Sequence, residues 1–574
     1  MNIEHQRHTL AHLLAAAARE LYPNAKPTIG PAVDNGFYYD FDDLKNPDLP
    51  ALEAKMKELL PSWTEFSHKE VSLDEAKEAF EANPYKIELI EEISGKGEGL
   101  TLYTCGGFTD LCRGGHADHP AKDIPADSFK LSHTAGAYWR GSEKNTMLTR
   151  IYGLAFASKA ELDAYELQQE EAKKRDHKKL GRELDIFVFS DLVGPGLPLW
   201  TPRGTMMRHL LDGFVWELRK ARGYEKVEIP HITKKELYQT SGHWDKFKDE
   251  LFRITTREGH EFAMKPMNCP HHTQIYARRK WSYRELPQRY ANTTTCYRDE
   301  QSGELSGLSR VRAFAQDDAH VFCRMSQAKE EFLKIWDIIH EFYPKFGFEL
   351  KVRLSVHDPA HPDKYLGDEA RWTMAEDMLR DIIKEKGVEA LDGLGEAAFY
   401  GPKLDFMAND SLGRQWQVAT IQLDMNMPER FDLSCVNEEG KDERIVMIHA
   451  AIMGSLERFM SILIEHTAGV FPTWLSPVQV SAIPVSEKHL DYAQNIVTKL
   501  TEAGIRAEVD DSNETLGKKI RAWKLSKNPY ALVIGDKEVE SNILSIETRT
   551  GEKINESVEA FVARISEEIK TRAL

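Results

Sequence analysis

The chain has 574 residues and a formal charge of −17, too long for one hydrophobic core, because cores stop growing at about 250 to 300 residues; roughly three or four domains are expected. With 41% hydrophobic and 29% charged residues, 36 Gly and 25 Pro, the composition is globular and excludes collagen, coiled-coil arrays and bulk disorder. No apolar run reaches the roughly 18 residues of a bilayer span, six cysteines are too few for a disulfide scaffold, and the acidic balance argues against a nonspecific nucleic-acid binder.

The N-terminus lacks the charged-then-apolar order of a secretory signal, so a cytoplasmic location is expected. Residues 1–157 mix helical and strand patterns. His8 and His12, in His-Thr-Leu-Ala-His, are four apart and share one face of a helix; Cys112 and His116, in Asp-Leu-Cys-Arg-Gly-Gly-His, repeat the spacing. Such a quartet reads either as metal ligands or as histidines lining a core. The stretch 158–185 then turns sharply polar, from Glu161, Glu166, Glu170 and Glu171 to Lys173, Lys174, Arg175, Lys178 and Lys179. Opposite charges at helical spacing, with Leu162, Tyr165 and Leu167 as the few apolar anchors, predict a solvated linker helix over 158–184.

The block 185–475 alternates strands and helices, with apolar strand candidates at 227–229, 311–314, 399–406 and 445–448, which favours an antiparallel-rich α+β domain. Cys269 in Met-Asn-Cys-Pro-His-His, His320 in Gln-Asp-Asp-Ala-His and His449 in Met-Ile-His-Ala-Ala lie far apart in sequence. One cysteine and two histidines make a three-ligand zinc set with an open fourth position. Around them stand Arg298 in Cys-Tyr-Arg-Asp-Glu, Arg310 and Arg312 in Arg-Val-Arg-Ala-Phe, and Arg458 in Gly-Ser-Leu-Glu-Arg-Phe. An arginine fixed on a strand can hold a phosphate bidentately, and one on a helix the far end of a triphosphate; the alternative is a set of surface salt bridges. From 476 the pattern becomes short strands (478–483, 507–509, 531–534, 543–546) alternating with amphipathic helices around 487–503, 514–525 and 556–570, a compact α/β domain. Lys518, Lys519, Arg521, Lys524 and Lys527 cluster there with Trp523 among them, which suits RNA contact or a solvated helix face.

Segments 205–230, 296–314 and 448–459 resemble signature motifs 1, 2 and 3 of the class II aminoacyl-tRNA synthetases. In detail the sequence is similar to the threonyl-tRNA synthetases over essentially its whole length. The most specific agreements are Met-Asn-Cys-Pro at 267–270, Arg-Val-Arg-Ala-Phe-Ala-Gln-Asp-Asp-Ala-His at 310–320, Tyr-Gly-Pro-Lys at 400–403 and Ile-His-Ala-Ala-Ile-Met-Gly-Ser at 448–455. The resemblance implies an α+β multidomain protein: an N-terminal α+β editing domain (1–157), a class II antiparallel-sheet catalytic core (185–475) and a C-terminal α/β anticodon-binding domain (476–574). It implies ATP-dependent activation of L-threonine, transfer to tRNA(Thr), and a homodimer formed through motif 1.

Carried over by residue, the resemblance makes Cys269, His320 and His449 the ligands of one Zn²⁺ per subunit. Arg298 would clamp the ATP α-phosphate and Arg458 the γ-phosphate. Glu300 would meet the adenine amino group, Phe314 would stack on the base, Arg310, Gln417 and Thr420 would complete the nucleotide contacts, and Mg²⁺ would accompany ATP. Gln316, Asp318, Tyr400 and Gln422 would touch threonine, with Lys403 near the reacting carboxylate and phosphate. The substrate carboxylate attacks phosphorus itself, so catalysis needs positioning and charge neutralisation but no general base. A metal that takes both the amino and hydroxyl groups of threonine rejects valine by about 10⁴ to 10⁵, whereas serine, lacking only a methyl, is disfavoured by about 1 to 3 kcal/mol and leaks through.

That leak requires a hydrolytic site. The resemblance places it at His8, His12, Tyr39, Lys86, Asp110, Cys112 and His116, acting without metal on mischarged seryl-tRNA(Thr); a zinc-dependent hydrolase is the rival. Gly115 stands where the family usually has Pro, which is expected to soften the loop. The family's N-terminal ubiquitin-like domain is expected to be missing. Ile-Gly-Asp-Lys-Glu at 534–538 resembles the anticodon-reading segment, with Glu538 as a base contact, whereas Glu547 replaces the usual Arg. Lys-Leu-Ser-Lys-Asn at 524–528 mimics a class I synthetase loop but lacks its partner motif. A threonine or RNA sensor built on this scaffold would be expected to have lost the arginines, the Cys/His set or the editing groups. A prolyl or seryl enzyme would not combine this N-terminal domain with this Cys/His/His set.

Overall fold

The computed structural model describes residues 2–574. Two compact units divide it, Met1–Glu171 and Ala172–Leu574.

In the first unit the helix Ile3–Leu21 starts at Asn2, whose side chain accepts the Glu4 N–H. Leu10, Leu13, Leu14, Ala17 and Ala18 bury its apolar stripe completely, and each leucine so buried contributes about 1.5 to 3 kcal/mol. They share a core with Phe37, Phe41, Phe129 and Ile151 on the antiparallel sheet of Gly36–Asp42, Met147–Ala155 and Phe129–Tyr138. A second antiparallel sheet, Ser67–Val71 with Leu100–Cys105 and Phe108–Leu111, carries Asp110. The helix Pro84–Gly95 begins at the Asn83 cap and presents Lys86 in its first turn.

The expected single solvated helix over 158–184 is corrected. Two helices, Lys159–Arg175 and His177–Glu183, meet at Asp176, whose backbone leaves the helical region and whose side chain caps the second by accepting the Lys178 N–H at 2.7 Å. The first is solvated, but the second buries His177, Leu180 and Gly181, and Leu180 belongs to the core of the second unit. Charge patterning identified the helix; the apolar residues too sparse to read as a stripe decided where it docks.

The second unit is organised on an eight-stranded sheet ordered Glu225–Lys226, Gln288–Tyr297, Ala313–Cys323, Val446–Ala451, Gln415–Asp424, Lys403–Asn409, Leu350–Val356, Ala390–Leu394. Its interior pairings are antiparallel and both edge pairings parallel. The helix Met325–Phe342 buries Phe332, Ile335, Trp336, Ile339 and Phe342 at helical spacing, in the core that also holds Met207, Leu211 and Phe214 of the helix Pro202–Lys220. Three strand expectations shift. The strand expected at 227–229 is Glu225–Lys226; Val227 still donates to Ala291 O at 3.1 Å, and Pro230, without an N–H, ends the edge. The strand expected at 311–314 begins at Ala313 because the Arg312 N–H goes to Gly196 O. The one expected at 399–406 begins at Lys403, after Pro402 removes a ladder donor.

The C-terminal part has its own core of Leu500, Leu532, Phe561 and Ile565. Its sheet runs Ala507–Val509, Val480–Pro484, Tyr530–Ile534, Ile543–Thr548, Lys553–Ser557, with two parallel pairings followed by two antiparallel ones. Among the described residues no helix is long and apolar enough to cross a membrane.

Candidate functional site

The register of two neighbouring strands builds the centre of the site. Ala313–Cys323 and Val446–Ala451 pair antiparallel with His320 directly opposite His449, so both imidazoles leave the same face of the sheet. Cys269 opens the helix Cys269–Tyr276, and one donor atom from each of the three lies within 4.8 Å of the others. His320 Nε2 and His449 Nδ1 are 3.1 Å apart. Their other nitrogens are committed: His320 Nδ1 to His272 Nδ1 at 2.8 Å, His449 Nε2 to Asp424 Oδ2 at 3.0 Å. Outer partners of this kind fix the tautomer and aim the remaining nitrogen at a metal. Burial pushes the Cys269 thiol well up and the His320 imidazole well down, so the pocket favours neutral groups until a cation is supplied. One sulfur and two imidazole nitrogens with an open side suit zinc. His272 shares Met-Asn-Cys-Pro-His-His with Cys269, but no spacing marks it or Asp424 in the sequence.

A cleft of about 590 Å³ opens beside this trio. Gln316, Asp318, Tyr400 and Gln422, the expected threonine contacts, line it together with Cys269 and His449, and so do Arg298, Glu300, Arg310, Phe314, Gln417, Thr420 and Arg458. Asp318 Oδ1 is 3.6 Å from His320 Nε2, and burial raises its carboxyl to about 6. The Arg298 guanidinium lies over Phe314 (5.3 Å) and Phe247 (5.8 Å), and its buried Nε has no partner. Burial first, then the Arg310 charge, lowers Arg458; Arg310 is paired with Glu300 and Glu304, and the net positive charge left at Arg298 and Arg458 makes the cleft an anion site. Glu300 is less free than expected, because Arg310 Nε donates to its Oε2 at 2.8 Å.

The Lys403 ammonium lies 2.8 Å from Asp405 Oδ2, on a strand paired with that of Gln422. Fully buried Asp405 also accepts from Arg353, Ser355, Gln417 and Thr420, at 2.7 to 3.0 Å. The same carboxylate therefore aligns Gln417 and Thr420 and anchors Lys403. Nothing in the sequence pattern marked Asp405.

The N-terminal histidines, Cys112, Tyr39, Lys86 and Asp110 lie together. His8 Nε2 is 3.2 Å from His12 Nε2 and 3.6 Å from Cys112 Sγ, which is 3.3 Å from His116 Nε2. Lys86 Nζ lies 2.5 Å from Asp110 Oδ1, and the Tyr39 hydroxyl donates to Asp110 Oδ2 at 2.5 Å. Burial lowers His12 well below its usual value, with help from His8 and Lys86; it brings His116 down to about 2 and raises Cys112 to about 11. The cluster is thus neutral imidazole and thiol around a Lys–Asp pair. The quartet's donor atoms lie as close together as those of the Cys269 trio, but the neighbouring Lys86 ammonium opposes a second cation. Asp110 also lines a cleft of about 660 Å³ with Asn83, Phe108 and Arg19. Gly115 sits at φ +84°, closed to proline, with its carbonyl 3.3 Å from His8 Nδ1; the departure from the family's Pro sets a backbone geometry rather than merely softening the loop.

At the C-terminal end, Trp523 is buried with Ile483 and Ala531 and offers no stacking face, so of the two readings of the basic run the ring adds no base contact to the RNA one. Lys519 donates to Asp510 O (2.8 Å) and Lys527 to Ala468 O, which leaves Lys518, Arg521 and Lys524 exposed. Glu538 Oε2 accepts the Gly535 N–H at 2.9 Å and Oε1 the Ser545 hydroxyl at 2.6 Å, so it caps its own helix. Glu547 lies 3.3 Å from Lys524.

Residues 252–467 match the tRNA synthetase class II core domain (G, H, P, S and T), residues 479–568 the anticodon binding domain, and residues 100–152 the threonyl and alanyl tRNA synthetase second additional domain. The chain is 49% identical to a threonine–tRNA ligase of Porphyromonas gingivalis over 94% of its length and 83% of the relative's. It is 46% identical to that of Thermotoga maritima, over 100% and 89%. Among solved structures it is similar to the RNA binding domain of the Cryptosporidium parvum threonyl-tRNA synthetase (TM-score 0.66, 37% identity, 68% of this chain and 98% of that one). The putative threonyl-tRNA synthetase ThrRS-1 of Aeropyrum pernix gives TM-score 0.62 and 30% identity, over 69% and 96%.

Proposed function

The chain belongs to the threonyl-tRNA synthetases, and from that premise we propose how its residues divide the work of activating threonine with ATP, charging tRNA and clearing serine. It is a class II threonine–tRNA ligase with an editing module. The carrying observation is that Cys269 and His449, two of the trio with buried His320 behind them, border the same cleft as Arg298, Arg310 and Arg458, so an amino acid and a triphosphate can be held side by side.

Cys269, His320 and His449 would hold zinc, with His272 and Asp424 orienting the two imidazoles. Bound there, zinc would supply Lewis-acid coordination to the amino and hydroxyl groups of threonine. Asp318 and Gln422 hold the polar end of the amino acid beside Tyr400. Arg298 neutralises the α-phosphate under attack, Phe314 takes the base, and Arg458 the distal phosphate of the Mg²⁺ nucleotide. Lys403, anchored on Asp405 by one of its three N–H donors, offers the others to the reacting groups. The residues 1–157 form the editing domain, where Lys86, Asp110 and the neutral imidazoles hold water against a seryl ester; 185–475 the catalytic domain; 476–574 the domain that reads the tRNA(Thr) anticodon.

Pyrophosphate exchange with a panel of amino acids tests the reading. Threonine is expected to be activated best, serine less well by about 10- to 200-fold, and valine not measurably; valine exchanging as well as serine would sink it. The segment 205–230 forms a homodimer interface, supported by the exposure of Met206 on its helix and of Ile232 just beyond it. Sedimentation equilibrium is expected to give a two-protomer mass, and a monomeric mass at full activity would refute the interface.

A further inference from the structure

The two elements that carry the ATP-facing arginines are separate in sequence. Arg310 lies on the loop between the strands Gln288–Tyr297 and Ala313–Cys323, and Arg458 on the helix Leu456–His466. His177, from the short helix that follows the polar linker, stands between them. Its Nδ1 is 2.6 Å from Glu465 Oε1, on the arginine-bearing helix, and its Nε2 accepts the Leu308 N–H of the loop at 3.0 Å. Both nitrogens are therefore spent, which makes the Asp176, His177 and Glu465 cluster a hydrogen-bonded strut rather than a metal site.

The surroundings hold the strut in one geometry. Glu465 also accepts from Arg414, and although burial alone would raise its carboxyl, the His177 and Arg414 hydrogen bonds hold it down to about 2. A carboxylate fixed as an acceptor requires His177 to carry its proton on Nδ1, so Nε2 presents a lone pair to Leu308. On the loop side, Gly307 has φ +50°, and a Cβ there would fall 2.2 Å from His177 Nε2. Beyond it, Ser309 Oγ meets Ser461 Oγ at 3.0 Å, and Ser461 donates to Arg458 O at 2.8 Å. The loop thus lies on the helix through two adjacent links, one through His177 and one between serines, and Arg310 follows immediately.

We propose that His177 is a positioning residue for ATP: by accepting the Leu308 N–H while anchored on Glu465, it sets the spacing between Arg310 and Arg458. The proposal rests on the assignment of the triphosphate to those two arginines. The two nitrogens can be tested separately, since asparagine reproduces the donor at Nδ1 and lacks the acceptor at Nε2, whereas glutamine reproduces the acceptor and lacks the donor.

The experiment measures the KM for ATP and for threonine in pyrophosphate exchange with the full chain. Without an acceptor on residue 177 the Leu308 N–H no longer fixes the loop, so His177→Asn is expected to raise the ATP KM about tenfold or more, with the threonine KM changed by less than about twofold. His177→Gln, which keeps the Leu308 bond, is expected to leave the ATP KM within about twofold even if it melts earlier. Equal shifts in the two variants, or none in His177→Asn, would overturn the proposal, since a merely structural histidine would act on melting alone. Should both variants fail to fold, Gly307→Ala probes the same contact from the loop side: a raised ATP KM supports the strut, and an unchanged one overturns it. An ATP KM unaffected by Arg458→Ala would instead remove the ATP assignment on which the proposal stands.

Discussion

Replacement of Cys269 by alanine, or removal of the metal by a chelator, is expected to abolish threonine-dependent pyrophosphate exchange. The two imidazoles left behind are buried and 3.1 Å apart, the one carboxyl near their facing nitrogens is Asp318, which burial raises to about 6, and a pocket so biased toward neutral groups retains a divalent cation poorly without the thiolate. The outer partners should show a graded effect. His272→Ala leaves all three ligands in place but frees the His320 ring, so metal affinity in a competition titration is expected to fall about 10- to 100-fold. Full exchange activity in a verified zinc-free preparation would contradict the assignment.

Arg298→Ala is expected to slow adenylate formation by about 10² to 10³ in single-turnover measurements, because it removes a donor aimed at charge that develops as phosphorus becomes five-coordinate. The fold should survive the change. The Arg298 Nε has no partner in the protein, and the side chain is held by Phe247 and Phe314 faces worth about 0.5 to 2 kcal/mol in total. An unchanged single-turnover rate would remove Arg298 from the phosphate site.

How much of this was legible beforehand follows from residue type. Cys269, His320 and His449 stood out because cysteine and histidine are scarce and few roles suit them together in a protein with too few cysteines for disulfides. Their convergence depended on the register that sets His320 against His449, which no local pattern encodes. Asp405 and Asp424 sit inside strands as single acids among apolar residues, where only the partners delivered by other strands give them meaning. Lys403 shows the converse: its motif was recognisable, but the buried acid that holds it was not. Helical charge spacing found the linker, but the turn at Asp176 and the docking of His177 depend on Glu465 and Leu308, each over a hundred residues away. The burial of Trp523 was not legible, because a basic run hides which face of its helix is buried.

The central claim is a division of labour: a synthetic site that separates serine from threonine by only about 1 to 3 kcal/mol, and an N-terminal cluster that removes the error. The direct measurement follows seryl-tRNA(Thr) over time with serine, ATP and tRNA, comparing the wild-type chain with the variant carrying both His8→Ala and His12→Ala. His8 is only partly buried and His12 meets Asp110 at 3.7 Å, so the double variant is expected to fold, charge threonine at the wild-type rate and accumulate seryl-tRNA(Thr) that the wild type clears. The fragment 1–157 should hydrolyse preformed seryl-tRNA(Thr) with or without a chelator; activity lost with EDTA and restored by Zn²⁺ would convert the site to a zinc hydrolase. A folded double variant that charges threonine and accumulates no seryl-tRNA(Thr) would contradict the division of labour itself.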